Sequence, residues 1–168
     1  MRNNKLNQYL IYFKILFIFQ NMVYVSNHKL FQWIKQFQYV TYVIDIEIPN
    51  APNITLHLDL SDSPKTVTQF VDLLPFSLVL NVWGDEIYTN ESPINMPEEN
   101  AKPFVHINDV AYWPAGKAIC LFFGPTPISK KGKIIPASPV NVIGKILAPD
   151  KSILNIADGK KATFRLKS

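Results

Sequence analysis

The chain has 168 residues, 48% of them hydrophobic and 18% charged, which suits one domain of ordinary size and excludes a wholly disordered chain. A single cysteine excludes an intramolecular disulfide scaffold and any all-cysteine metal site. The formal charge of +4 is uneven: residues 1–44 hold five basic groups and no acid, the remainder 12 basic and 13 acidic groups, so no basic face is left for a nucleic acid.

Residues 1–42 lack Ala, Gly, Pro, Asp, Glu and Cys, whereas all 13 prolines and all six glycines lie between Pro49 and Gly159. Such a shift predicts a boundary, with a leader outside the fold over 1–42 and the folded domain over 43–168. A start codon assigned too far upstream is one reading of the leader. A membrane anchor over Tyr9–Val25 is another, although Lys14, Gln20 and Asn21 interrupt it and a span needs about 20 mostly apolar residues. A secretory signal is the third, and it lacks a small-residue cleavage site because the first alanine is Ala51. The expected compartment is the cytoplasm.

Within the body, Val43–Ile48 alternates strictly, with Ile44, Ile46 and Ile48 on one face and Asp45 and Glu47 on the other, which predicts a half-buried strand. After the turn residues Pro49–Asn53, Ile54–Leu60 alternates again, so the two form an antiparallel hairpin. Ser63 followed by Pro64 is a helix start, with Ser63 as the expected cap. Val67, Phe70, Val71 and Leu74 then make one apolar stripe, and Pro75 ends it. Strands are predicted at Leu78–Trp83 and Glu86–Tyr88 with a tight bend or bulge at Gly84, then at Val105–Trp113 and Ala118–Phe123. Ala118–Phe123 is continuously apolar and must be covered on both faces. Val140–Leu147 is a further strand, and Asp158-Gly159 predicts a hairpin between Ile153–Ile156 and Ala162–Leu166. The sum is a mainly β fold, a closed barrel or two-sheet sandwich of about eight strands with one or two short helices. Two long connections, Thr89–Pro103 and Pro125–Pro139, have the length of binding loops or of solvated insertions.

Several segments carry a more specific signal. Ser63-Pro-Lys-Thr-Val-Thr-Gln-Phe70 resembles the first helix of cyclophilins. Trp83-Gly-Asp-Glu-Ile-Tyr88, Ala111-Tyr-Trp-Pro114 with Gly116-Lys-Ala118, Cys120-Leu-Phe-Phe-Gly-Pro-Thr-Pro127 and Ser138-Pro-Val-Asn-Val-Ile-Gly-Lys145 together resemble the minimal prokaryotic cyclophilin-like family. The resemblance covers roughly Val43–Leu147 and implies a closed cyclophilin-like β-barrel in a single small domain, of a family with no settled function. Fold does not fix activity. Cyclophilins that isomerise prolyl bonds place an arginine on the sheet and carry a Gln-Gly-Gly segment. Here Leu78-Val-Leu-Asn-Val-Trp83 holds no arginine, and Arg2 and Arg165 stand near the two ends of the chain. No catalytic residue is carried over from that resemblance.

No phosphate loop, dinucleotide fingerprint or nucleophile elbow is present, and no cofactor is expected. His28, His57 and His106 lack ligand spacing, so no metal site is expected either. Cys120, mid-strand among apolar residues, reads as a small core residue. Asp85 and Glu86 are adjacent, so on a strand they point to opposite faces and do not form one catalytic pair; the plain reading is one solvent-facing acid and one turn-forming acid. What remains is an aromatic set with a few polar neighbours. Trp83, Tyr88, Tyr112, Trp113 and Phe122, with Asp85, Glu86 and Asn141, are the candidate ligand-binding residues, with core packing as the competing account for the rings. The expected function is binding of a small molecule or peptide in an aromatic-lined site without standard catalysis. A weak or unconventional prolyl isomerase and a structural or interaction module are the alternatives.

Overall fold

The computed structural model describes residues 41–167; expectations that fall on the leader lie outside the described residues. Alternation does what a period of two dictates. In β1 (Thr41–Glu47) and β2 (Ile54–Asp59), Ile44, Ile46, Leu56 and Leu58 point inward and are fully buried. β1 includes Thr41 and Tyr42 ahead of the strand expected over Val43–Ile48. Helix α1 (Pro64–Asp72) follows, burying Val67 and Phe70 while Val71 stays half-exposed. Next come β3 (Phe76–Trp83), β4 (Glu86–Thr89), β5 (Asp109–Trp113), β6 (Ala118–Phe122) and β7 (Asn141–Leu147). A 3-10 turn (Lys151–Ile153), the four-residue helix α2 (Leu154–Ala157) and β8 (Lys161–Leu166) complete the chain.

All pairings are antiparallel, and the strands close into a barrel in the order β1-β2-β7-β5-β6-β4-β3-β8, with β8 returning to β1. Closure leaves no unpaired edge. The interior is filled from every strand, and α1 adds Phe70 edge-on to Phe76 and Phe164 at 5.4 and 6.2 Å. The close approach of β2 and β7 at Leu58 and Gly144 requires the glycine, because a Cβ there would overlap the His57 carbonyl.

Three local expectations are corrected. Ile153–Ile156 is not a strand: Ile153 and Ala157, four residues apart, face the core from the 3-10 turn and α2, which Asp150 opens by accepting from the Ser152 amide at 2.9 Å. Residues 105–108 lie outside β5, Val105 pairing instead with Ile134 in an isolated bridge. Ser63 does not cap α1. The Glu99 carboxylate, 34 residues from Lys65 in sequence, accepts from the amides of Lys65 and Thr66 at 3.0 and 2.8 Å and satisfies two of the helix's free donors.

Of the two long connections, neither hangs free. Residues 90–108 are stitched down by Ser92 to the Lys117 carbonyl, by Tyr112 to the Ile94 carbonyl, and by a bridge between Lys102 and Val140. The second folds into a small hairpin of its own, Lys130 opposite Lys133, held by Thr126 and Ser129 hydroxyls on the backbone of Ile135. Among the described residues no helix is long and apolar enough to cross a membrane.

Candidate functional site

A closed barrel has an outer face as well as a filled interior, and alternation assigns each side chain to one of them. Ile87, Tyr112, Ile119 and Leu121 belong to the inner core. Their neighbours Glu86, Tyr88, Ala111, Trp113, Cys120 and Phe122 therefore face outward. That outer face is covered by the loop 125–139, and a second apolar cluster forms beneath it from Val105, Ala111, Cys120, Phe122, Ile134 and Val140. The β3–β4 turn fixes the loop's base. Gly84, at φ +64°, and Asp85 make a two-residue hairpin turn, Trp83 pairing with Glu86, and the Asp85 amide donates to the Pro125 carbonyl at 3.0 Å. A Cβ on Gly84 would press on Pro125 and Pro127.

Between sheet and loop lies a pocket of about 200 Å³ lined by Trp83, Glu86, Tyr88, Trp113, Cys120, Pro136, Ala137 and Val140. Its floor is Cys120, a small side chain in a row of cross-strand neighbours that runs Tyr88, Cys120, Ala111. Small residues between large rings leave the depression. Trp113 is fixed from two sides: its indole Nε1 donates to Ser138 Oγ at 2.6 Å, and Gly116 makes room for its ring, since a Cβ there would overlap it.

Glu86 is the unusual member. It is 4% exposed, and its Oε2 has no hydrogen-bond partner, the one buried side-chain oxygen or nitrogen in that state among the described residues. A buried acceptor without a donor costs roughly 1–3 kcal/mol. The contrast is Asp109, equally buried at 3% exposure, whose carboxylate holds both the Lys145 ammonium and the His106 amide. Desolvation pushes the Glu86 carboxyl up to about 7, and a hydrogen bond with the Cys120 thiol offsets only part of this. Burial in turn raises the Cys120 thiol well above its ordinary range, and the neighbouring Glu86 raises it further. Cys120 is thus no ready nucleophile.

The sequence candidates divide. Trp83, Glu86, Tyr88 and Trp113 meet in this pocket. Asp85 does not: it occupies the turn and pairs with Lys151 at 2.6 Å. The neighbouring acids thus separate as strand geometry dictates, but Glu86 is buried rather than solvent-facing. Tyr112 is in the barrel interior, its hydroxyl on the Ile94 carbonyl at 3.0 Å. Phe122 is fully buried beneath the loop and lines no part of the pocket. Asn141 is fully buried too. It bonds the Glu99 amide at 2.8 Å, the Pro97 carbonyl at 2.9 Å and Thr66 Oγ1 at 3.1 Å, tying the first long loop to α1. Pro136, Ala137, Val140 and Cys120 were not among the sequence candidates; the first two come from a loop whose path no local pattern fixes.

A broader surface cleft of about 560 Å³ runs along the loop hairpin, with Lys130, Lys131, Lys133 and His106 in its lining. Its cationic groups stand on the solvated hairpin, and no unpartnered buried group faces it. Among the described residues no three His, Cys, Asp or Glu side chains converge as a metal site would require.

No curated protein is similar to the chain. The solution structure of a hypothetical protein from Archaeoglobus fulgidus is similar to it at 42% sequence identity and a TM-score of 0.66, over 76% of this chain and 96% of that one. The family model described as cyclophilin-like matches residues 43–165, which spans the barrel from the first strand to the last. The eight-stranded antiparallel barrel and this match agree, and the chain belongs to the cyclophilin-like family.

Proposed function

We propose that the protein is a small-ligand binder whose site is the outer pocket between the β4-β6-β5 face and the loop 125–139. The observation that carries this reading is the free Glu86 Oε2 in an otherwise apolar, aromatic lining. Ligand pockets combine a mostly apolar wall with a few placed polar groups, and an unsatisfied buried acceptor is the polar group a ligand donor would complete. The volume decides the size of guest. About 200 Å³ lies below the range of roughly 300–1,000 Å³ that holds drug-sized molecules, so the guest is a small molecule or a single side chain.

Isomerisation of prolyl bonds finds less support. Stabilising a twisted amide needs a preorganised donor charge, and the described lining contains no Lys, Arg or His. Arg165 pairs with Glu47 at 2.9 Å on the β1–β8 ladder.

The test is a thermal-shift and NMR screen of small metabolites and short peptides against the full chain, with Trp83→Ala and Trp113→Ala beside it. Following the indole N–H signals keeps Trp33 apart from the two pocket rings. A hit should move the Trp83 or Trp113 signal and weaken in both variants. If every hit moves signals elsewhere and keeps its affinity in both variants, the pocket is not the site.

A further inference from the structure

The lining of this pocket has a single electrostatic sign. Trp83, Tyr88 and Trp113 offer ring systems whose faces are negative, and the one carboxyl group beside them is Glu86. Against them stands no described cation, since the remaining lining groups are Cys120, Pro136, Ala137 and Val140. The free oxygen also specifies a donor that the protein does not supply. Trp113 Nε1 is engaged by Ser138, and no donor among the described residues reaches Glu86 Oε2. Rings plus a carboxylate attract a cation and repel an anion, and the effect strengthens where water is excluded.

We propose that the outer pocket takes an alkylammonium group, its N–H donating to Glu86 Oε2 and its carbons packing among Trp83, Tyr88 and Trp113. The inference rests on the ligand-binding reading above and names the ligand's chemistry. The pocket's size admits a charged head with a short alkyl stem, which either a free amine or the end of a lysine side chain provides.

Binding is coupled to proton release. The titratable groups facing Glu86 are Cys120 from β6 and Tyr88 on its own strand; Trp83, Pro136, Ala137 and Val140 bring none. Burial pushes the Glu86 carboxyl up to about 7, so at pH 6 most of it is neutral. An ammonium selects the ionised form, whose share rises about tenfold between pH 6 and 8. The amine itself stays charged throughout that range.

The experiment is an NMR titration of the full chain with n-butylammonium, 1-butanol and butyrate at pH 6 and pH 8, reading the two pocket indole signals. n-Butylammonium should bind about tenfold tighter than 1-butanol at pH 8, gain about tenfold from pH 6 to 8, and butyrate should not bind. Glu86→Gln should erase both the preference for the cation and its pH dependence. Should that variant fail to fold, the wild-type pH profile and the comparison with 1-butanol decide alone. If 1-butanol binds as tightly as the amine at both pH values, or butyrate binds best, the cation inference is overturned while the pocket remains a ligand site. If no probe moves either indole and the wider screen also fails there, both readings fall together. Nα-acetyl-lysine N-methylamide separates the two sources: tighter binding than n-butylammonium assigns a protein lysine, equal or weaker binding a free amine.

Discussion

At the scale of single residues, Glu86 carries the argument, and its burial has a measurable consequence for stability. Its folded-state pKa is raised above the ordinary value, so the group favours folding when protonated in both states. That contribution is fully present below about pH 4.5, where the unfolded chain is also protonated, and is lost as pH rises toward 7. The protein should therefore lose on the order of 3 kcal/mol from this group between pH 4.5 and pH 8. Glu86→Gln removes the titration. Denaturant unfolding at both pH values should show the variant gaining relative to the parent as pH rises; parallel curves would mean that folding leaves the Glu86 carboxyl unshifted. Cys120 gives a second check. Its thiol is buried and its pKa raised, so a thiol reagent at pH 8 should modify the native protein far more slowly than the unfolded chain. Comparable rates would show that the pocket floor is open to reagent. Strand parity already separates these residues in the sequence. Tyr112 and Trp113 are consecutive on one strand and cannot both face the same pocket, and a stricter use of that rule removes Tyr112 from the candidate set. What parity does not reveal is that Glu86 lacks a partner, because that depends on what the loop at Pro136 and Ala137 fails to provide.

At the scale of elements, the period-2 segments are the ones the sequence makes legible. Ile44 to Ile48 and Ile54 to Leu58 each expose one polar face, and which residues point inward follows from that alone. Ala118–Phe122 is apolar throughout because the inner core covers one side and the loop the other. The segment at Ile153 misleads, since a short apolar run before Asp158-Gly159 fits a strand as well as a helix turn, and packing settles the choice. The cap on α1 is hidden for another reason: Glu99 reaches the helix across a loop, and no local pattern encodes such a contact. Desolvation pushes Glu99 upward, yet the amides of Thr66 and Lys65 and the Thr66 hydroxyl outweigh it, and its pKa is lowered. A lowered folded-state value means that this contribution is present above the ordinary carboxylate pKa and lost as pH falls through the folded one. Glu99→Ala should destabilise at pH 7 and converge on the parent at low pH. Asn141→Ala should cost about 1–3 kcal/mol because it leaves the Glu99 amide and Pro97 carbonyl without their partner. Chemical denaturation reads both; an unchanged midpoint in Asn141→Ala would show that water replaces the amide group.

For the molecule as a whole, the barrel closes on itself through β1 and β8, and the described residues 41–167 belong to one compact unit. A chain starting at Thr41 should accordingly unfold in a single cooperative transition, with a midpoint within a few degrees of the full chain's. A broad or strongly lowered transition would assign the preceding residues a part in holding the barrel. Closure also explains why the candidate site is outside: the interior of this eight-stranded barrel is filled by its own side chains, which leaves the outer face and its covering loop. Whether this outer pocket holds a ligand through Glu86 has one direct measurement. It is the Glu86 pKa itself, followed by the side-chain carboxyl carbon signal in NMR, with and without n-butylammonium. A midpoint near 7 in the free protein and a marked fall when the amine is present are expected. A midpoint in the ordinary carboxylate range, unmoved by any ligand that shifts the pocket indoles, would contradict binding through Glu86.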